Sequence, residues 1–344
     1  MVNTIKCFDV PPLPLEKGYR ENIGVSNMLC GVIDNKIVLG GGSNFPFGTA
    51  LEGGKRVIHK FLHLIRPVEN SFQILDTTEF EQPVADGKCV SFSGMLFYVG
   101  GNRILKINVI NNKLHVQEYA NLGFSIEQHI AHIYNGIIYY GLGKINGEIS
   151  DRFFAFNIFT QENKEISSFP ASGRIQCVSE IFEDEIVVFS GANNIAYTEG
   201  YKYNIRKKIW IKISDVKAGN KKISIVGAGN IKINDKEMVV IGGFNKKIWD
   251  EACKKFATFK SEDKNKFRQF YFSQEASYFN WNKKLLIYNY KLDSWTSPGE
   301  ISFPAPCGNS LVCIHNSIYS IMGEIRPGIR TNKSYRIPLE KINR

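Results

Sequence analysis

The sequence has no apolar run of about 18 residues, the length that a membrane-spanning helix requires. It also has no Cys-x-x-Cys pair. Its seven cysteines are scattered and odd in number, which favours reduced thiols over a disulfide framework. The first 14 residues lack the basic and apolar segments of a secretory signal. We therefore expect a cytoplasmic protein, or a periplasmic one if a signal has been removed. Gly-x-Ser-x-Gly and phosphate-binding-loop motifs are missing too.

The chain of 344 residues does have enough apolar side chains for a sizeable core, since 43% of its residues are hydrophobic and 22% are charged. Its length suits about two ordinary domains or one large all-β domain. The formal net charge of +10 leaves open whether the partner is an anion. Basic runs lie at predicted turns rather than along one face, so no nucleic-acid partner is predicted.

Internal repeats are the strongest pattern in the chain. Six β-rich runs end in glycine, and each follows a turn signal such as Asn135-Gly136, which predicts hairpins. The runs are 36–41, 95–101, 137–143, 186–191, 238–243 and 318–323. A second motif, Tyr-Asn-x5-Trp, occurs at 203–210 and 288–295 and predicts strand, turn, strand, with the aromatic ends packed on neighbouring sheets.

A hairpin, glycines, a strand, a turn and a strand make one four-stranded blade, and the pattern resembles the kelch repeat. The prediction is an all-β, six-bladed kelch-like β-propeller that forms a single domain over residues 1–344. A β-sandwich is the alternative, but six aligned hairpins are hard to arrange in one. The strand-like segment Asn3–Val10 is predicted to supply the fourth strand of the last blade and to close the ring.

Two insertions, near 43–62 and 246–280, interrupt the repeat. In the second, apolar residues between 250 and 279 recur at helical spacing, which predicts one or two short helices in blade 5. Long insertions in a regular scaffold are usually functional loops or lids. The alternative is that they only add soluble surface.

The segment Gly323-Glu-Ile-Arg-Pro-Gly-Ile-Arg-Thr331 resembles the active-site segment of the N-acetylneuraminate epimerases, bacterial sialic acid mutarotases built on a six-bladed kelch-like propeller. The segments 242–249, 278–286 and 173–176 are similar to further parts of that family. In ordinary members the Gly-Glu motif lies mid-chain, whereas here it lies in the last blade. The resemblance is therefore to the cyclically permuted mutarotase branch, which a closed ring tolerates because its termini lie close together.

The resemblance implies an isomerase that interconverts the α and β anomers of N-acetylneuraminate, a small anionic sugar, with no cofactor, no metal, no membrane span and no required protein partner. Glu324 would transfer the proton during ring opening and closure. Arg330 would be the second catalytic residue, binding the substrate carboxylate as a bidentate, charge-assisted pair and polarising the developing charge. The further candidate substrate-binding residues are Arg174, Gln176, Asn44, Glu52, Lys55 and Asn245.

Other interpretations remain open at this point. Glu324 and Arg330 could form a structural ion pair at a blade turn, and the propeller could be a non-catalytic kelch module that binds a protein or a glycan. A sialidase is disfavoured because no Ser-x-Asp-x-Gly-x-x-Trp box occurs. The pairs His59/His63 and His129/His132 lack a third ligand pattern, so no metal site is predicted.

Overall fold

The computed structural model describes residues 3–342 as a six-bladed β-propeller with three short helices. Blade 1 consists of Leu29–Ile33, Lys36–Gly40, Phe61–Val68 and Ser71–Glu79. Blade 3 consists of Ile130–Tyr134, Ile137–Gly141, Phe153–Asn157 and Asn163–Ile166. Blade 4 consists of Val178–Phe182, Glu185–Phe189, Gly200–Asn204 and Ile209–Ile213.

Blades 5 and 6 share the N-terminal segment. Blade 5 consists of Gly229–Asn234, Glu237–Ile241, Lys284–Asn289 and Ser294–Ile301, with Thr4–Ile5 added in parallel at its edge. Blade 6 consists of Ser310–Ile314, Ser317–Ile321, Ser334–Pro338 and the antiparallel strand Phe8–Val10. A 3-10 turn, Leu339–Lys341, follows. The predicted ring closure is confirmed. The single predicted strand is in fact two, because the chain crosses from one blade to the next between them.

Blade 2 departs from the four-stranded repeat. Its strands are Lys88–Phe92, the long Met95–Ile110 and Lys113–Glu127, and a small hairpin, Lys144–Ile145 with Glu148–Ile149, joins it from the loop of blade 3. The first half of the long strand pairs with Lys88–Phe92 and its second half with Lys113–Glu127. Ile104 and Leu105 lie in the same clusters as Phe97 and Leu96, so the chain turns back at Gly100-Gly101 without a longer loop.

A ring of backbone hydrogen bonds encircles the propeller axis. Six residues, each two positions before the first strand of its blade, have left-handed φ angles between 55° and 72°. They are Asn27, Asp86, Gln128, Gln176, Gly227 and Gly308. Each donates its N–H to the carbonyl of the preceding member, and Asn27 donates to Gly308, over distances of 2.7–3.1 Å. These six bonds tie all blades together at one face and satisfy backbone groups that would otherwise be orphaned near the axis.

The core is divided among the gaps between blades. Six apolar clusters each lie between two neighbouring blades, and the series runs completely round the ring. Trp210 packs on Phe153 of the preceding blade, with ring centroids 5.2 Å apart, and Trp295 packs on Phe189 at 4.8 Å. The predicted role of the Tyr-Asn-x5-Trp motif is confirmed. In the turn between Tyr203 and Trp210, Asn204 Oδ1 accepts a hydrogen bond from the Lys207 N–H at 2.8 Å.

The insertion in blade 5 is more helical than predicted. It forms α1 (Lys246–Thr258), α2 (Ser261–Ser273) and α3 (Ala276–Phe279) instead of one or two helices after residue 250. The first helix begins early because Asn245 caps it, accepting hydrogen bonds from the N–H groups of Lys247 and Ile248. Phe256 of α1 packs at a tilt against Phe267 and edge-to-face against Tyr271 of α2.

Two further findings concern the residues that the structure describes. All seven cysteines are free thiols. No helix between residues 3 and 342 combines the length and the apolarity that crossing a membrane would need.

Ring closure by the N-terminal strand gives the first testable prediction. Val10 is 3% exposed and packs in the cluster between blades 6 and 1. Val10→Asp should lower the free energy of unfolding by several kcal/mol, because an unpaired carboxylate would be buried at the seam. Val68→Asp is the control, since Val68 is 45% exposed on a blade 1 strand, and it should change stability by no more than about 0.5 kcal/mol. Equal urea midpoints for the two variants would contradict the closing role of this strand.

Candidate active site

The candidate site lies on the face of the propeller that carries the backbone ring. The first strand of each blade starts at this face, and the second strand returns to it, so the loops that follow the second strands are gathered around the axis. Both insertions and the Gly-Glu motif are such loops. The motif follows the blade 6 strand Ser317–Ile321, and the first insertion follows the blade 1 strand Lys36–Gly40.

Glu324 and Arg330 face each other across a small hairpin. The strands Glu324–Arg326 and Ile329–Arg330 pair with these two residues directly opposite, and Gly328 makes the turn with a φ of 82°. The Gly328 N–H donates to Glu324 Oε1 at 2.6 Å, and Arg330 Nη1 lies 3.1 Å from Oε2. Arg330 Nη1 is buried and makes no aligned hydrogen bond among the described residues, so its contact with Glu324 is an ion pair with donor capacity left over.

The backbone of Glu324 is anchored beside the axis. Its N–H and carbonyl exchange hydrogen bonds of 2.8 Å with Cys307, whose neighbour Gly308 is a ring member. The side chain is 18% exposed, and burial raises its pKa. The charge of Arg330, the Gly328 hydrogen bond and the charge of Arg56 oppose this rise without cancelling it. A carboxyl with a pKa moved toward neutrality is suited to both taking and returning a proton.

A second ion pair adjoins the first. Ser43 accepts a hydrogen bond from Arg330 Nε at its carbonyl oxygen, at 3.3 Å, and one from Arg56 Nε at its hydroxyl, at 2.8 Å. Arg56 Nη2 forms an ion pair with Asp86, and Asp86 also accepts a hydrogen bond of 2.8 Å from Asn27. Sequence reasoning missed this pair. Asp86 lies outside both insertions, and its position in the ring is visible only in the fold.

The two insertions meet above the site. Arg268 of α2 donates to the carbonyl of Ala50 in the first insertion, at 2.6 Å. Arg326 of the hairpin donates to the carbonyl of Gln274 after α2, also at 2.6 Å. The helical insertion thus contacts both the first insertion and the Glu324 hairpin. We call this insertion, residues 246–279, the roof of the site.

An axial cavity of about 530 Å³ opens beneath the ring. Asn27, Asp86 and Gln176 line it, whereas Glu324 is not among the residues that surround it. The Gln176 Oε1 atom is buried and has no hydrogen-bond donor among the described residues. Gln176 is therefore the one weaker candidate whose polar group remains available next to the axis.

Two of the predicted substrate-binding residues are fully engaged in the protein. Arg174 is 1% exposed, donates to the Ser190 carbonyl at 3.1 Å, pairs with Glu199 at 3.2 Å and stacks on Tyr197 at 3.9 Å. Asn44 is 4% exposed, and its amide is bound at both ends. Neither side chain presents a free polar group in this conformation, and a structural role accounts for both.

The bonds of Asn44 hold the first insertion in place. Asn44 Nδ2 donates to the Gly24 carbonyl, and its Oδ1 lies 2.8 Å from His59 Nε2. The other ring nitrogen of His59 is 2.7 Å from Glu16. This series of hydrogen bonds fixes the strand pair formed by Ser43–Asn44 and Val57–Ile58. The first strand contains Ser43, and the second begins directly after Arg56.

The three remaining candidates make their contacts elsewhere. Asn245 serves as the N-cap of α1 and donates to the Asn280 carbonyl at 3.3 Å. Glu52 is exposed and bonds back to the N–H and hydroxyl of Thr49, at 2.7 and 2.9 Å, within its own loop. Lys55 is exposed next to Arg56. The structure shows no contact that joins these three residues to Glu324 or Arg330 within residues 3–342.

Comparison with known proteins supports the motif. The family model described as N-acetylneuraminate epimerase matches residues 119–343. A Salmonella typhi relative named N-acetylneuraminate epimerase is 30% identical over 211 residues, which are 59% of this chain and 53% of the relative. A relative of the same name from Haemophilus influenzae is 25% identical over 231 residues, 64% of this chain and 59% of its own.

The solved structure of YjhT aligns with a TM-score of 0.55 and 22% identity, over 62% of this chain and 63% of that one, and it supports the propeller fold. The chain spans about half the length of the Salmonella relative it matches. The matched residues contain the Glu324 hairpin and the helical insertion but not the first insertion. Since the family model covers well over half of the sequence, the chain belongs to the N-acetylneuraminate epimerase family.

Proposed function

We propose that this protein is a sialic acid mutarotase that interconverts the α and β anomers of N-acetylneuraminate. The observation that carries the proposal is the partly buried carboxyl of Glu324, whose pKa is raised and whose Oε2 lies 3.1 Å from Arg330, on the hairpin that bears the family motif. The family membership and the names of the relatives support the same substrate.

The chemistry needs proton transfer at two oxygens. Ring opening breaks the bond between the anomeric carbon and the ring oxygen, while the anomeric hydroxyl loses its proton and the ring oxygen gains one. Ring closure on the other face of the resulting ketone reverses these transfers, so atoms and charge balance with no co-reactant. Glu324 takes the anomeric proton and delivers it to the ring oxygen as the ring opens; on closure it takes that proton back from the attacking hydroxyl and returns it to the ketone oxygen. Arg330, already aimed by Ser43 and by Glu324, binds the carboxylate that the anomeric carbon carries.

The proposal is tested by following the anomers directly. A sialidase releases α-sialic acid in situ, and proton NMR records its conversion to the β anomer with and without this protein. We expect conversion faster than the spontaneous rate, in proportion to protein concentration. Conversion at the spontaneous rate in the presence of folded protein, verified by circular dichroism, would refute this function and would leave a non-catalytic kelch module.

A further inference from the structure

Two guanidinium groups converge on one serine. Ser43 is fully buried, and it accepts a hydrogen bond from Arg56 at its hydroxyl and from Arg330 at its carbonyl. Arg56 comes from the first insertion in blade 1 and Arg330 from the hairpin in blade 6, so only the closed ring brings the two arginines together. Like charges held next to each other repel unless each has an anionic partner or shares one.

Each arginine has one acidic partner, but the two pairs differ in exposure. Arg330 is 8% exposed beside Glu324, which is 18% exposed. Arg56 is 36% exposed, whereas its partner Asp86 is 3% exposed. Asp86 and Ser43 thus engage Nη2 and Nε of Arg56, while the guanidinium remains partly exposed. Residues 3–342 supply no hydrogen-bond acceptor to Arg56 Nη1.

The charge balance of this cluster changes when Glu324 takes a proton. Two arginines and two ionised carboxylates balance each other. When Glu324 holds a proton, as it must after taking one from a substrate, the cluster carries one uncompensated positive charge. A ligand with a single carboxylate restores the balance, and a fork of two guanidinium groups offers it directed donors.

We propose that Arg56 is a second carboxylate-binding residue, which grips the substrate carboxylate together with Arg330, and that Asp86 is the positioning residue that aims it. The inference rests on the proposed function and deepens it. It also goes beyond the matched part of the chain, since both Arg56 and Asp86 lie before residue 119. The first insertion accordingly contributes a ligand of the substrate and does more than cover the site.

The test compares N-acetylneuraminate with its methyl ester, which keeps the sugar but lacks the negative charge. Binding of both is measured by calorimetry at pH 7. Arg56→Gln should weaken binding of the acid roughly 10- to 100-fold, the usual worth of a charge-assisted hydrogen-bond pair, and should leave binding of the ester nearly unchanged. The rate assay should show a raised KM with a smaller change in kcat.

Matched variants separate charge from position. Arg66→Gln removes the same charge from an exposed position of blade 1 and should change neither ligand's affinity. Arg56→Lys keeps the charge but loses the fork, so it should recover part of the affinity for the acid. Asp86→Asn should weaken binding of the acid selectively, because Arg56 loses its anchor while the backbone ring stays intact.

The outcomes distinguish this inference from the proposed function. If the unaltered protein neither binds the acid nor speeds conversion, the proposed function fails. If it does both, but Arg56→Gln changes nothing or weakens the acid and the ester equally, Arg56 is not a carboxylate ligand. If Asp86→Asn leaves the selectivity for the acid intact, Asp86 does not position Arg56.

Discussion

Replacing Glu324 by glutamine is expected to reduce the accelerated part of anomer conversion by about 100- to 10,000-fold, the range associated with losing a general acid-base group. Glutamine keeps the size of the side chain and an oxygen that can accept from the Gly328 N–H, as Oε1 does at 2.6 Å. It cannot take a proton. The loss should therefore appear in kcat, measured by the NMR assay, with a much smaller change in substrate affinity.

The same variant should be at least as stable as the original protein. Burial raises the pKa of Glu324 above its usual value of 4.5, so the folded state binds the proton more tightly than the unfolded state does. The ionised carboxylate then costs stability above the folded pKa, and the cost disappears below 4.5. We expect the Tm of Glu324→Gln to exceed that of the original protein at pH 8, with the gap closing as the pH falls.

Glu180 provides a matched control for both measurements. It lines the axial cavity, and burial raises its pKa as well, but it lies on the inner strand of blade 4. Glu180→Gln should keep full activity, which would show that loss of a buried carboxylate is not enough to stop the reaction. Retention of the accelerated rate in Glu324→Gln would instead remove Glu324 from the mechanism.

The sequence predicts the ring and the Glu324 hairpin well because both depend on local patterns. Glycine-terminated runs mark the second strand of each blade, and a Pro-Gly turn between Glu324 and Arg330 brings the two side chains together. The strand-like character of Asn3–Val10 also predicts the closing strand. It does not predict that the strand divides between two blades, because the partners Glu300 and Arg336 are far along the chain.

The same limit applies to the predictions for Asn44 and Arg174. A residue type shows what an amide or guanidinium can bind, but not what already binds it in the fold. The Asn44 amide is occupied by Gly24 and His59, and the Arg174 guanidinium by Ser190 and Glu199. Conversely, the Arg56–Asp86 pair joins residues 30 positions apart through the backbone ring, which no local pattern reveals. The predicted cyclic permutation stays a prediction.

Arg330→Gln is expected to lower kcat/KM by about 100-fold or more, because it removes a buried donor to the substrate carboxylate and leaves Glu324 without its partner. It should also change the pH profile. The charge of Arg330 lowers the pKa of Glu324 more than any other group around it does, so its loss allows the pKa to rise further. The ionised, proton-accepting form then requires a higher pH, and the acid limb of kcat/KM should move in the alkaline direction.

Arg326→Gln separates this electrostatic effect from damage to the hairpin. Arg326 lies on the same hairpin but donates to the Gln274 carbonyl, and its charge is not among the main influences on the pKa of Glu324. The control variant should leave the acid limb where it is, even if a looser roof changes KM. Should Arg330→Gln lower the rate without moving that limb, Arg330 would bind substrate but would not set the protonation of Glu324. An unchanged rate in Arg330→Gln would mean that the Glu324–Arg330 ion pair has only a structural role, because an ion pair that only stabilises a turn can be lost without any effect on the reaction.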